Sequence, residues 1–90
     1  MDDKEKYRLK AFLDRSPNRK KILKHLKEQE EAQRPTDIGK ELEVQRQTIS
    51  SRITDLKEEN LVELLNPEDN RNRYYKITEK GKKILRNSSE

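Results

Sequence analysis

The amino-acid sequence predicts a small, mainly α-helical domain that carries one β-hairpin. Apolar residues recur at intervals of three and four along most of the chain, the spacing of one face of an α-helix. The exception is the stretch 61–77, where two short β-prone runs flank the turn-like sequence Asn66-Pro67-Glu68-Asp69-Asn70. Of the 90 residues, 28% are hydrophobic and 44% charged, which predicts one domain with a thin core that a partner surface supplements.

The first predicted helix covers about residues 4–15. Its apolar residues Leu9, Phe12 and Leu13 share one face, with Tyr7 close by. This face fits two arrangements, because it can cover the core of its own chain or pair with a second copy. We therefore distinguish an N-terminal helix, residues 1–15, from a main domain, residues 16–87.

A second helix is predicted to begin at Ser16-Pro17 and to run to about residue 29. Ser is a favoured N-cap residue, and Pro is favoured at the first helical position. The segment also carries a block of basic residues, for which a solvated helix face and an electrostatic contact are equally good interpretations. The block consists of Arg15, Arg19, Lys20, Lys21, Lys24 and Lys27.

A third helix is predicted to open at Pro35-Thr36, with Thr36 as its N-cap and Asp37 beside the positive helix end. Gly39 is unusual in this helix, because an interior glycine costs about 1 kcal/mol relative to alanine. Close approach of a second helix would explain it, since no side chain then separates the two backbones. The alternative is a tolerated surface glycine.

The fourth helix is predicted over about residues 45–60, with Ile49, Ile53 and Leu56 as its buried stripe. Its opposite side carries short hydroxyl and amide side chains, where a helix built only for solubility would carry Lys and Glu. Such side chains can hydrogen-bond to base edges in the major groove of DNA. Only Leu42-Glu43-Val44 separates this helix from the third, so the two must cross sharply, which predicts a helix-turn-helix.

The rest of the chain predicts a hairpin and a last helix. Asn60 is expected to end the fourth helix in the left-handed conformation. Strands are predicted at about 61–65 and 73–77, and Thr78 is the expected N-cap of the last helix. The apolar residues of that helix are Ile84 and Leu85.

Composition argues against several functional classes. The chain has no cysteine, so neither disulfides nor cysteine-ligated zinc hold the fold. No apolar run reaches transmembrane length and no signal-peptide core is visible, so we expect a cytoplasmic, nucleoid-associated protein without a membrane. The sole histidine, His25, is expected to be partly exposed and lacks partners for a metal site or a nucleophile. The sequence therefore indicates no enzyme, no metal and no cofactor.

Several short motifs resemble those of the winged helix-turn-helix transcription regulators of the MarR family. The resemblance covers about residues 16–85 and is carried by Arg46-Gln47-Thr48-Ile49-Ser50, the run from Leu56 to Val62, Asp69-Asn70-Arg71, and Ile77-Thr78-Glu79-Lys80-Gly81. In that family, an acidic residue of the wing braces an arginine that enters or flanks the minor groove. The resemblance implies the groove role for Arg71 and the bracing role for Asp69.

The chain departs from the family pattern in three respects. It has Glu43 where the family usually has glycine or a small polar residue, and Gln45 where the family favours a Ser or Thr cap. It is also too short for the long paired dimerisation helices, so any dimer must use other residues.

Together these patterns predict a sequence-specific regulator of transcription that binds double-stranded DNA. Residues 45–60 would lie in the major groove, and a wing at about 66–73 would lie on the minor groove or backbone. A pI near 9.4 permits this function but does not establish it. The alternative is a winged helix that binds protein in a transcription or replication assembly through its first helix. The candidate DNA-binding residues are Thr36, Arg46, Gln47, Thr48, Ser50, Ser51, Arg52, Thr54, Arg71, Asn72 and Arg73.

Those residues are assigned by side-chain chemistry. Gln47 can bond adenine through its amide, and Ser or Thr can approach either kind of base pair. Arg46 could reach a guanine or a phosphate, whereas Arg52 lies at the edge of the helix and suits a phosphate. Thr36 marks a helix N-terminus whose free backbone amides favour phosphate.

A homodimer is expected because the core is thin and because paired recognition helices read half-sites about 34–36 Å apart. The sequence does not indicate a small-molecule effector or an operator. The candidate interface residues are Tyr7, Leu9, Phe12, Leu13, Ile84 and Leu85.

Overall fold

The computed structural model describes residues 1–87 and shows five helices and one hairpin within them. The elements are α1 (Asp3–Asp14), α2 (Pro17–Glu28), α3 (Pro35–Leu42), α4 (Arg46–Glu58), β1 (Val62–Leu64), β2 (Tyr75–Ile77) and α5 (Glu79–Asn87). The predicted class, mainly α with a small β-hairpin, is confirmed. Among these helices, none combines the length and the apolar composition that crossing a bilayer requires.

One apolar core joins all the elements, with α2 packed against α1, α3, α4, α5 and β2. The predicted stripe of α4, Ile49, Ile53 and Leu56, is fully buried in it. Phe12, Leu42, Val44 and Leu64 pack against its edge. The helical spacing in the sequence therefore identified the core-facing sides correctly.

Helix α1 covers the core of its own chain. Leu9 and Leu13 are fully buried there, as is Ile84 of α5, while Leu85 is nearly so. Ion pairs fasten the outer side of α1: Arg8 forms two hydrogen bonds of 3.0 and 2.9 Å with the carboxylate of Glu59, and Lys80 Nζ lies 3.0 Å from Glu5 Oε2. The apolar side chains Leu9 and Leu13 therefore cover the core of their own chain and are not available for pairing with a second copy.

The N-cap of helix α3 lies two residues earlier than predicted, so the assignment of Thr36 as its N-cap is wrong. Arg34 is the N-cap and Pro35 the first helical residue. Proline suits that position because its φ is already helical and its missing N–H would have no intrahelical partner. Asp37 then accepts the backbone N–H of Arg34 at 3.2 Å, which satisfies the cap.

Two other helix starts are as predicted. Ser16 Oγ accepts the N–H of Arg19 at 3.4 Å, and Thr78 Oγ1 accepts the N–H of Gly81 at 3.0 Å. The Thr78 hydroxyl also donates to the backbone oxygen of Asn60 at 2.7 Å, which ties α5 to the end of α4.

The α3–α4 junction is as tight as Gly39 suggests. A Cβ at Gly39 would lie 2.8 Å from the backbone oxygen of Val44, a distance that real Cβ atoms do not adopt. Glu43 makes the turn with a left-handed backbone, φ 58° and ψ 46°. Asn60 has φ 62° at the other end of α4, as predicted.

His25 is buried, so the expectation of a partly exposed residue is wrong. Its side chain is only 7% exposed. The reason is its position: His25 follows Ile22 by three residues and precedes Leu26 by one, which places it on the core side of a helix that has neighbours on several sides.

The hairpin is antiparallel and pairs Val62 with Ile77 and Leu64 with Tyr75. Both strands are shorter than predicted. The segment before α3 also joins the sheet: Gln33 and Tyr75 exchange two backbone hydrogen bonds of 2.9 and 2.8 Å. The wing is thus attached to the start of α3.

Candidate nucleic-acid interface

An open cleft of about 230 Å³ separates α4 from the wing, and the first turn of α3 closes one end of it. Its lining is polar, and it contains many of the residues singled out in the sequence. The lining residues are Arg34, Pro35, Thr36, Arg46, Ser50, Thr54, Asn70, Arg71, Asn72, Arg73 and Tyr75. Segments far apart in the chain therefore converge here.

The cleft is strongly cationic. Four arginines line it, and none of its described lining residues is acidic. Within residues 1–87, the guanidinium groups of Arg46 and Arg71 have neither an ion-pair nor a hydrogen-bond partner. Arginine groups in this state present planar, forked donors that match the oxygens of a phosphate or a carboxylate.

The outward side of α4 carries Gln47, Ser51 and Thr54, all exposed. Ser50 is half-buried and lines the cleft, and Thr48 is half-buried beside it. The helix has no side-chain hydrogen bond at its Gln45 cap, so its first backbone amides remain available.

Arg52 is held within its own helix rather than extended towards solvent. Its Nε lies 3.3 Å from Oδ2 of Asp55, and its Nη2 donates to Oγ of Ser51 at 2.8 Å. The same oxygen of Asp55 also accepts from Arg19, at 3.3 and 3.2 Å. Sequence spacing could not reveal this network, because Arg19 is 36 residues away from Asp55.

Polar side chains hold the wing in shape. Oδ1 of Asp69 accepts the backbone N–H groups of Arg71 at 2.8 Å and Asn72 at 3.0 Å. These hydrogen bonds, first that from Asn72, lower the pKa of Asp69 below its ordinary value. The predicted bracing residue thus contacts the wing through the backbone amide of Arg71.

Two further bracing residues were missed. The side-chain amide of Asn66 spans the wing, accepting the N–H of Tyr74 at 2.9 Å and donating to the backbone oxygen of Asn72. Arg34 donates to Oδ1 of Asn72 at 3.3 Å. An asparagine at the start of a turn is a signal that could have identified Asn66.

Arg34 also joins the wing to α3. Its Nε and Nη2 donate to the two carboxylate oxygens of Asp37, each at 3.1 Å, and its guanidinium lies 5.9 Å from the centroid of the Tyr74 ring. The hydrogen bond from Arg34 is the main cause of the lowered pKa of Asp37. Thr36, exposed beside this pair, lines the cleft from the first turn of α3.

The described residues contain no group of three or more His, Asp or Glu side chains that could hold a metal ion. The site is therefore built from cations, hydroxyls and amides. Such a surface is suited to binding an extended anion.

The helix-turn-helix followed by a two-stranded wing defines a winged helix-turn-helix domain. In sequence, residues 8–90 match the family model described as the HVO_A0261 N-terminal domain, and the chain belongs to that family. No curated protein shows a significant match.

The solved structures to which this chain is similar include regulators of the MarR family. The chain is similar to the PcaV transcriptional regulator of Streptomyces coelicolor (21% identity, TM-score 0.68, covering 79% of this chain and 52% of that one). It is also similar to the MarR family transcription regulator SP03579 (28% identity, TM-score 0.67, covering 77% of this chain and 46% of that one). A third similar structure is the S. aureus MepR–DNA complex (21% identity, TM-score 0.69, covering 93% of this chain and 70% of that one).

These similarities confirm the MarR-like fold, and PcaV and SP03579 are named as transcription regulators rather than enzymes. The chain spans about half the length of PcaV and SP03579.

Proposed function

We propose that this protein binds double-stranded DNA sequence-specifically and regulates transcription. The observation that carries the proposal is the cationic cleft between α4 and the wing, with four arginines and no described acidic lining residue. A double helix carries closely spaced phosphates, so a surface of this kind gains free energy by releasing condensed counterions.

In this proposal α4 lies in the major groove and the wing on the minor groove or backbone. The exposed amide of Gln47 and the hydroxyls of Ser51 and Thr54 lie on the side of α4 that is free of the core. Arg71 projects from a wing whose turn Asp69 holds in place. Support comes also from the fold neighbour MepR, which was solved in complex with DNA.

Two arginines of the cleft, Arg46 and Arg73, suit different contacts. Arg46, at the first turn of α4, has an unpartnered guanidinium that fits a phosphate or the O6 and N7 acceptors of guanine. Arg73 donates to Oδ1 of Asn70 at 3.3 Å and is half-buried, so it suits a backbone contact.

Selection of bound fragments from a random duplex library tests the proposal. We expect enrichment of one motif and an affinity that falls steeply with salt. Arg71→Ala should weaken binding to selected and scrambled duplexes alike and reduce the salt slope by about 0.9 per lost phosphate contact. Gln47→Ala should instead change the preference at one base pair by about 1–3 kcal/mol. A library with no enriched motif would contradict the proposal.

The alternative, a protein-binding winged helix, relied on the apolar residues of the first helix. Leu9 and Leu13 are fully buried, and Phe12 packs against the core edge, whereas Tyr7 is 67% exposed. Most of the apolar surface assigned to that alternative is thus used within the chain.

We further propose that the protein acts as a homodimer in the nucleoid, since two recognition helices read paired half-sites. Of the six candidate interface residues, Leu9, Leu13, Ile84 and Leu85 are buried, while Tyr7 keeps most of its surface exposed. Sedimentation velocity with and without a palindromic duplex tests this proposal. A Tyr7→Ala variant should weaken the dimer, and a monomer bound to a single half-site would contradict it.

A further inference from the structure

Two hydroxyl groups on the outward side of α4, those of Ser51 and Thr54, each form a hydrogen bond within the protein. These hydrogen bonds limit how each hydroxyl can bind a base edge. A hydroxyl carries one hydrogen to donate and two lone pairs that accept. A neighbour that accepts the hydrogen leaves only acceptor capacity, whereas a neighbour that donates to one lone pair leaves the hydrogen free and strengthens its donation.

Ser51 has one lone pair occupied. Its Oγ accepts from Nη2 of Arg52 at 2.8 Å, and a guanidinium can only donate. The hydroxyl hydrogen of Ser51 then points away from this positive group. Ser51 is exposed on the outward side of α4, where it presents its hydrogen and one remaining lone pair. Accepting from a guanidinium polarises the O–H bond, so donation is the stronger of the two remaining interactions.

Thr54 has the opposite arrangement. Its Oγ1 donates to the backbone oxygen of Ser50 at 2.9 Å, which uses its single hydrogen. Thr54 is exposed and lines the cleft, so its remaining lone pairs present an acceptor.

An ion pair with Asp55 holds the Arg52 side chain. Its Nε is buried and lies 3.3 Å from Oδ2 of Asp55, although it forms no hydrogen bond with that oxygen. Asp55 is held in turn by Arg19, whose Nη1 donates to the backbone oxygen of Phe12 at 2.8 Å and whose guanidinium lies 4.0 Å from the Phe12 ring centroid. A chain of charged groups thus runs from the core edge to the Ser51 hydroxyl.

We propose that Arg52 and Asp55 are positioning residues that bias Ser51 towards donating a hydrogen bond, while the backbone oxygen of Ser50 leaves Thr54 only as an acceptor, so that α4 reads a donor–acceptor pattern of base edges. This inference rests on the proposed DNA binding and deepens it. Ser51 should face guanine O6 or N7, adenine N7 or thymine O4, whereas Thr54 should face the amino group of adenine or cytosine. Arg52 then acts through Ser51 rather than on a phosphate.

The first arm of the test assigns the two base pairs. On the duplex selected by the parent protein, Ser51→Ala and Thr54→Val should each lose roughly ten-fold discrimination at a different base pair. The preferred base at the Ser51 pair should present an acceptor, and the one at the Thr54 pair an amino group. A base analogue that lacks the acceptor should weaken the parent but leave Ser51→Ala unchanged. An amino group at the Ser51 pair would overturn the inference.

The second arm tests the positioning chain with Arg52→Ala and Asp55→Asn. Both should relax the preference at the Ser51 base pair while leaving the preference at the Thr54 base pair unchanged. Lys57→Ala, an exposed change on the same helix that also removes a positive charge, is the matched control and should alter neither preference. Thermal unfolding of each variant verifies that it remains folded, and either positioning variant alone suffices for the test.

The outcomes separate this inference from the function on which it rests. If the parent enriches no duplex, the proposed function fails and the inference with it. If the parent binds its site but Arg52→Ala weakens all duplexes equally and lowers the salt slope by about 0.9, Arg52 contacts a phosphate. That result overturns the inference and leaves the function intact.

Discussion

The helix-turn-helix and the wing form the two sides of one cleft but are held by different forces. The α3–α4 unit rests on fully buried Ile38, Ile49 and Ile53 and on the close contact at Gly39. The wing between its two short strands is held by hydrogen bonds that the side-chain oxygens of Asn66 and Asp69 accept from backbone N–H groups. Apolar packing is insensitive to pH, whereas a carboxylate that accepts hydrogen bonds is not.

This difference separates the two roles within the proposed interface. A recognition helix that must present side chains to base edges benefits from a rigid support. A wing that contacts groove and backbone can be adjusted through surface hydrogen bonds without disturbing the core. The Arg34 network, which reaches both Asp37 and Asn72, connects the two regions alongside the backbone pairing of Gln33 with Tyr75.

The largest predicted effect is on the helix-turn-helix side. Gly39→Ala should lower the free energy of unfolding by about 1–3 kcal/mol, because the new methyl group would meet the backbone oxygen of Val44. Denaturant unfolding measures the change. Lys40→Ala, exposed at the next position, is the control and should be near neutral. An unchanged stability in Gly39→Ala would show that the junction can open without cost.

A smaller change of opposite sign is expected at the turn. Glu43 holds φ 58°, a conformation that costs a residue with a side chain about 1–2 kcal/mol more than glycine, offset in part by the flexibility of glycine in the unfolded chain. Glu43→Gly should therefore raise the stability by up to about 1 kcal/mol, measured by the same unfolding curves. A loss of stability would mean that the Glu43 side chain contributes more than its backbone strain costs.

The smallest effect on global stability, and the clearest contrast, concerns the pH dependence of the wing. The pKa of Asp69 is lowered in the folded chain, so its contribution is present above the ordinary value of 3.8 and is lost as the pH falls through the lowered pKa. The amide signals of Arg71 and Asn72 should shift in this acid range while those of Ile49 and Ile53 stay constant. Two-dimensional NMR during a pH titration checks this expectation.

Asp69→Asn is the matched control for that titration, because an amide oxygen can still accept both backbone hydrogen bonds but does not titrate. The acid-range shift of the wing amides should disappear in this variant. If the wing and the α4 core titrate together in the parent, the two regions are not independent and the contrast is wrong.

The sequence was sufficient for the features that local spacing and backbone chemistry determine. The stripe of Ile49, Ile53 and Leu56 follows from helical periodicity, and the Thr78 cap and the left-handed Asn60 follow from residue type. Gly39 indicated the close contact between α3 and α4, because an interior glycine destabilises a helix unless its missing side chain allows such a contact. The N-cap of α3 was misplaced because Pro35 offers a first helical position as strong as the cap signal of Thr36.

Contacts between distant segments could not be obtained in this way. The Gln33–Tyr75 pairing, the Arg34–Asn72 bond and the Arg19–Asp55 ion pair each join residues more than 30 positions apart. Their residue types also suit an exposed surface. Hence only the folded structure could identify the four arginines that line the cleft and the hydrogen bond from Arg52 to Ser51.

The most direct measurement of the central claim is an NMR titration of the isotope-labelled chain with a selected duplex and with a scrambled one. The proposal predicts that the perturbed amides lie along residues 46–54 and 69–73, with larger shifts on α4 for the selected duplex. Signals of α1 and α5 should change little. Perturbations confined to α1 and α5, or none with either duplex, would contradict a DNA interface formed by α4 and the wing.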